Sequence, residues 1–193
     1  MQITFDIPHV FQPGSDPEEN DVVREIVKGY VRKITQSSAK THVVPSVKKT
    51  GKTQVTFDLP NAFDASSTPH TNAKVLQMLL HCLCDIDADY LKRRTGIPAL
   101  YDSGVRYGRT QVWDSIPALY ARGYGDCKSL TCALVAEYAM LGVATMPVFR
   151  WVVAPDNQTN FHILVQTPYG FEDPSKVCGM GQNENAYFNR KTG

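Results

Sequence analysis

Near the start of the chain, apolar and polar side chains alternate twice in the same way. Ile3, Phe5 and Ile7 are interleaved with Thr4 and Asp6, and Val55, Phe57 and Leu59 with Thr56 and Asp58. The segments Gln2–Pro8 and Gln54–Pro60 match position for position in character, and each is followed three residues later by Phe11 or Phe63. A period of two is that of a half-buried strand, and proline stops each copy. Both copies are expected as strands of one sheet, with Phe5 and Phe57 buried together. The alternative is that one copy is a strand that docks on a partner. Two copies are too few for a solenoid.

Between the copies the period lengthens. Asp16-Pro17-Glu18-Glu19 supplies a cap, a first-turn proline and acids at the positive end of a helix dipole. Val22, Val23, Ile26, Val27 and Tyr30 then form the apolar face of that helix. Ser37–Lys52 is polar and is expected as a loop or an exposed hairpin turning at Gly51, with Lys48, Lys49 and Lys52 on a solvated face. A second helix is predicted from about Asn72 to Arg94, where Val75, Leu76, Leu79, Leu80, Leu83, Ile86, Tyr90 and Leu91 lie near one face; Gly96 and Pro98 end it. His81, Cys82 and Cys84 fall within it, but their spacing does not bring all three onto one face, so they read as core residues rather than metal ligands. Leu100–Arg122 reads as a Tyr- and Gly-rich connector.

The next stretch carries chemistry. Lys128–Leu141 has the helical stripe Leu130, Leu134, Tyr138, Leu141, stopped by Gly142. Asp126 is placed to cap it, which sets Cys127 in the first turn. Unpaired backbone N–H groups and the positive dipole end there favour a thiolate and can donate to an oxyanion. Gly123 and Gly125 would let a substrate approach the backbone closely. Ala144–Val153 and Phe161–Gln166 read as strands, with Pro168-Tyr169-Gly170 as a turn leading to Phe171-Glu172-Asp173. If paired residue numbers in that hairpin sum to 335 or 337, His162 and Asp173 share a face; an even sum would separate them. A thiol, an imidazole and a carboxylate so related have the parts of an activated nucleophile, a base and its orienting group.

Composition narrows the setting. The 193 residues are 42% hydrophobic and 20% charged, with 20 Lys plus Arg against 19 Asp plus Glu. That suits a folded chain with a sizeable core and gives no electrostatic footprint for nucleic acid or a membrane surface. The apolar-rich runs Val75–Leu83 and Leu130–Val135 fall far short of the roughly 20 residues that span a bilayer. Met1–Asp6 lacks the basic and apolar regions of a signal peptide. Five cysteines (Cys82, Cys84, Cys127, Cys132 and Cys178) do not suggest a disulfide framework and are expected as reduced thiols.

Cys at the start of a central helix, then His and Asp on successive strands, resembles the order in transglutaminase-like, papain-like cysteine enzymes. The closer resemblance is to small transglutaminase-like proteins encoded in bacteriophage genomes. It rests on Tyr101-Asp102-Ser103-Gly104-Val105-Arg106-Tyr107, Gly123-Tyr124-Gly125-Asp126-Cys127, Asn160-Phe161-His162, Glu172-Asp173-Pro174-Ser175-Lys176 and Gly179-Met180, and it covers roughly Val75 to Met180. The family segment after the cysteine is usually acidic, whereas here it is Lys128-Ser129.

The resemblance implies an α+β papain/transglutaminase-like core over residues 71–193, with a Cys-bearing central helix packed on an antiparallel sheet. Residues 1–70 form an N-terminal β-rich extension outside it. The implied activity is thiol-dependent acyl transfer on amide bonds, of the peptidase, amidase or transglutaminase type. Cys127, His162 and Asp173 are the expected catalytic residues, and Trp113 and Gln111 the candidate oxyanion donors. No metal or organic cofactor is implied. The expected partner is a protein or peptide substrate, with phage structural proteins as further partners through the extension, and neither nucleic acid nor membrane. The expected location is the host cytoplasm, with incorporation in the virion an open alternative. The rival reading is a structural phage particle or assembly protein that keeps the fold with little or no catalysis.

Overall fold

A computed structural model describes residues 2–37, 44–49, 53–59, 68–153 and 159–181. Gly51, Lys52 and Phe63 lie outside them. The protein is a mixed α+β structure with two main sheets and a two-stranded pair.

The first sheet contains both sequence copies. Strand β1 (Gln2–Asp6) runs antiparallel to β3 (Thr53–Asp58), with Ile3 opposite Phe57 and Phe5 opposite Val55. β2 (Val44–Lys49) pairs antiparallel with β3, so the polar segment does fold back as a hairpin. On its other side β1 accepts a two-residue parallel strand, β5 (Trp113–Asp114), giving the order β2-β3-β1-β5. Phe5 and Phe57 are fully buried with ring centroids 4.9 Å apart, and Phe5 stacks on Trp113 at 5.5 Å. Shared burial is therefore the arrangement found. A docking strand with an exposed phenylalanine is not, because the copies pair with each other.

Helix α1 (Pro17–Ser37) starts as its sequence predicts, with Asp16 Oδ1 accepting the Glu18 N–H at 3.0 Å. Its buried stripe is Val23, Val27 and Ile34, with Val22, Ile26 and Tyr30 half-buried beside it. Helix α2 (Pro69–Lys92) buries Val75, Leu79, Leu80, Leu83 and Ile86 together with Cys82 and Cys84. Arg94, just past its end, grips the buried Glu19 through both carboxylate oxygens at 2.6 and 2.9 Å, tying the helices together. One continuous apolar cluster runs from Ile3 and Val23 through Leu79 and Leu119 to Leu130 and Ile163.

The stretch read as a connector contains more order than its composition suggests. It holds a 3-10 turn at Leu100–Asp102, β4 (Arg106–Tyr107), β5 and helix α3 (Ile116–Arg122), and leads into β6 (Tyr124–Gly125). β4 and β6 pair in parallel. Buried Asp114 takes both Nε and Nη2 of Arg122 at 2.9 Å, and the Asp114 N–H reaches Ser129 Oγ at 2.9 Å. That bond joins the first sheet to the central helix.

The second sheet is antiparallel, in the order β7 (Met146–Val153), β8 (Thr159–Thr167), β9 (Gly170–Glu172). Helix α4 (Cys127–Met140) packs against β8 and α2. A four-residue helix, α5 (Pro174–Val177), follows β9. No helix among the described residues is long and apolar enough to cross a membrane.

Candidate active site

The start of α4 is built by the turn before it. Gly123 ends α3 with φ at 76°, a conformation that favours glycine. Gly125 is buried, and a Cβ there would run into the Leu119 side chain, with Ser129 Cβ at 3.5 Å. These glycines therefore serve a left-handed turn and the close packing of α3 on α4. Asp126 is the helix cap as predicted, accepting the Lys128 N–H at 3.2 Å. Ser129 through Ala136 are all buried, so α4 is surrounded on every side rather than amphipathic. Leu141 is an exception to the expected stripe: it is the C-cap and is 75% exposed, because the helix has already ended at Met140.

Cys127 occupies the first helical position and keeps some accessible surface. Its sulfur accepts the backbone N–H of Ile163, the residue after His162. The β8–β9 ladder closes at Val165 opposite Glu172, so β9 has left the edge of β8 by this point and the thiol takes its place. Burial pushes the Cys127 thiol up to about 12; Asp126 adds to the rise, Lys128 and the Ile163 N–H oppose it, and Asp173 raises it further. The helix start alone predicted the opposite direction. Desolvation of the sulfur outweighs the dipole here, because a thiolate gains less from one helix end than it loses by leaving water.

His162 lies on β8 with its side chain 5% exposed, and its Nε2 is 2.9 Å from Asp173 Oδ2. Paired residues in β8–β9 sum to 337, which makes His162 and Asp173 diagonal neighbours on one face, as the odd-register argument requires. Asp173 Oδ1 meanwhile caps α5, accepting the N–H groups of Ser175 and Lys176 at 3.1 and 3.3 Å. Two functions thus share one carboxylate, one on each oxygen.

The two oxyanion candidates part company. Trp113 is a buried ring stacked on Phe5 in the first sheet, while Gln111 is exposed on the loop before β5. Of the other thiols, Cys82, Cys84 and Cys132 are buried, and Cys132 Sγ lies 3.5 Å from the Leu80 carbonyl oxygen. Burial pushes the Cys82 and Cys132 thiols well up.

Sequence reasoning passed over the residues that brace this arrangement. Glu172 accepts hydroxyl hydrogen bonds from Tyr101 at 2.6 Å and Tyr138 at 2.7 Å, pinning the end of β9, one residue before Asp173, to the 3-10 turn and to the far end of α4. Tyr101 and Glu172 were legible only as letters of a motif. Two open surface cavities, of about 440 and about 560 Å³, are lined around Tyr138, Tyr169 and Phe171, and around Arg106, Tyr107 and Cys178. Neither lining includes Cys127, His162 or Asp173. Compared with protein families, curated proteins and solved structures, the chain matches none of them.

Proposed function

We propose that this protein is a thiol-dependent acyl-transfer enzyme acting on amide bonds, with Cys127 as nucleophile, His162 as base and Asp173 as the group that orients the base. The observation that carries this reading is the 2.9 Å His162–Asp173 hydrogen bond beside the edge of β8 where the Cys127 thiol is seated. With Nε2 turned to Asp173, proton exchange with the sulfur falls to Nδ1.

In this reading the resting nucleophile is a neutral thiol, since burial holds its pKa near 12. The proton passes to His162 as the sulfur bonds to the carbonyl carbon, so base catalysis and attack are one event. Collapse of the tetrahedral adduct breaks the C–N bond, and His162 gives its proton to the departing amine. Water or a lysine amine then attacks the thioester and frees the thiol. The first acceptor makes a peptidase or amidase, the second a cross-linking enzyme of the transglutaminase type. The substrate is a protein or peptide, and the setting is a phage-infected host cytoplasm. The papain-like core supplies the scaffold, and residues 1–70 its extension.

One observation favours a second reading. A thiol raised this far is slow at neutral pH unless its base acts, which fits a phage particle or assembly protein that keeps the fold with little catalysis. The test is incubation with peptide amides and with a glutamine-containing protein plus a labelled primary amine. Cys127-dependent amide cleavage or amine incorporation is the expected result. No turnover, with Cys127 labelled by iodoacetamide no faster than buried Cys132, overturns it in favour of the second reading.

A further inference from the structure

The loop that carries Gln111 is held against the start of α4 by a clamp. Asp126 accepts the backbone N–H of Thr110 as well as that of Lys128. The Lys128 ammonium pairs with Asp126 Oδ2 and donates to the Thr110 carbonyl oxygen at 2.8 Å. Both backbone groups of Thr110 are thereby bound to the residues on either side of Cys127. Thr110 Oγ1 also accepts the Val112 N–H at 3.0 Å, and Gly108 N–H reaches the Gly125 carbonyl oxygen at 2.8 Å, so the loop is fixed along its length. The Lys128 and Asp126 side chains are only 15% and 13% exposed, which shields their attraction from solvent.

We propose that Lys128 is a positioning residue, whose ammonium locks the Thr110–Gln111 backbone beside the thiol and neutralises the carboxylate adjacent to Cys127. This is the position where the sequence departs from the acidic pattern of the family it resembles. A cation there performs a task that an acid cannot: it balances Asp126, which would otherwise oppose formation of the thiolate. The other titratable groups at this site are Asp173, whose charge also acts on the thiol, and His162, which is bonded to Asp173; Arg150 lies opposite His162 on β7, Lys176 follows Asp173 on α5, and Arg109 precedes Thr110 on the loop.

The inference rests on Cys127 being the nucleophile, but its test needs no substrate. Failure to find acyl transfer would leave the test intact, and failure of the test would leave acyl transfer untouched. Alkylation of Cys127 by iodoacetamide is followed by peptide mass spectrometry between pH 7 and pH 10 in the full chain and three variants. Lys128→Gln is expected to slow it by roughly three- to tenfold at each pH, since one pKa unit is tenfold in thiolate. Lys128→Arg is expected to stay within about twofold, and Asp126→Asn, which can still cap the helix, to speed it. Backbone amide exchange over residues 110–112 should quicken in Lys128→Gln and not in Lys128→Arg. Equal rates in Lys128→Gln and the parent, equal slowing in Gln and Arg, or unchanged loop exchange overturns the proposal. Should Lys128→Gln fail to fold, slower or unchanged alkylation in Asp126→Asn overturns it on its own.

Discussion

The Phe5–Phe57–Trp113 cluster and the proposed Cys127–His162–Asp173 site both draw on segments far apart in sequence, yet they rest on different physics. The cluster is non-directional: three rings exclude water, and a small shift of any one still leaves it buried. The site is directional at each contact. It needs an odd hairpin register, a carboxylate with one oxygen for a helix cap and one for an imidazole, and a thiol at a strand edge. The cluster gains from burial, whereas the site is opposed by it, since desolvation raises the Cys127 pKa. Stability and reactivity should therefore separate cleanly between the two regions.

The largest separation is expected at the thiols of α4. Cys127→Ala should abolish acyl transfer while costing no more than about 2 kcal/mol of stability, because a small side chain at a helix start removes little packing and only the Ile163 N–H loses its acceptor. Cys132→Ala, deep in the same helix, should keep activity. Parallel melts and amide-cleavage assays check both; equal loss of activity with a large loss of stability in each variant would make Cys127 a packing residue. The converse is expected in the cluster. Phe5→Ala and Phe57→Ala should each cost about 3–5 kcal/mol in denaturant melts, since each empties a fully buried ring site. A neutral melt for either would break the comparison.

Sequence legibility follows the same division. Alternation at Ile3, Phe5 and Ile7 and at Val55, Phe57 and Leu59 is a local property, and it predicted strands that do pair. The Asp126 cap and the start of α4 at Cys127 were equally local. Strand alternation leaves the β8–β9 hairpin only two parities, and the observed register has the odd one, which sets His162 beside Asp173. What escaped was nonlocal or energetic. The two-residue strand β5 exists because β1 offers it an edge, and nothing in Trp113-Asp114 alone announces a strand. Its ring, an oxyanion candidate from the sequence, packs on Phe5 in the first sheet. Desolvation of Cys127 is a tertiary effect, set where the sulfur meets the Ile163 N–H of β8, so the helix start alone gave the wrong direction. Lys128 looked like a mere departure from an acidic pattern, because its partner Thr110 lies eighteen residues back.

Two buried histidines sharpen the contrast. His162 has a carboxylate at hydrogen-bond distance, whereas both ring nitrogens of His9 are buried without a hydrogen bond, with Glu19 Oε1 3.8 Å away. Burial lowers the His9 pKa from 6.5 to about 4; Glu19 and Asp89 oppose the shift, and Arg94 assists it. Between these values the unfolded chain binds a proton that the folded chain refuses. The His9 contribution is thus intact above pH 6.5 and is lost as pH falls toward 4, by about 3 kcal/mol. Urea melts across that range should show His9→Phe escaping this loss; parallel pH dependence of the two proteins would contradict it. The smallest expected effect is at the shared carboxylate. Asn caps helices as well as Asp does, so Asp173→Asn should change stability by less than about 1 kcal/mol. Its acyl-transfer rate should nevertheless fall on the order of tenfold or more, through loss of charge beside the imidazole. A rate unchanged from the parent would remove Asp173 from the proposed group.

The most direct test of the central claim is transfer of an acyl group to the Cys127 sulfur. The protein is mixed with a p-nitrophenyl ester at pH 7.5, and intact-mass and peptide spectra are followed in time beside released p-nitrophenol. A thioester on Cys127 is predicted, formed on the order of a hundredfold more slowly in His162→Ala. Acylation of Cys127 at the same rate in His162→Ala, or no adduct on Cys127 in either protein, would contradict the account.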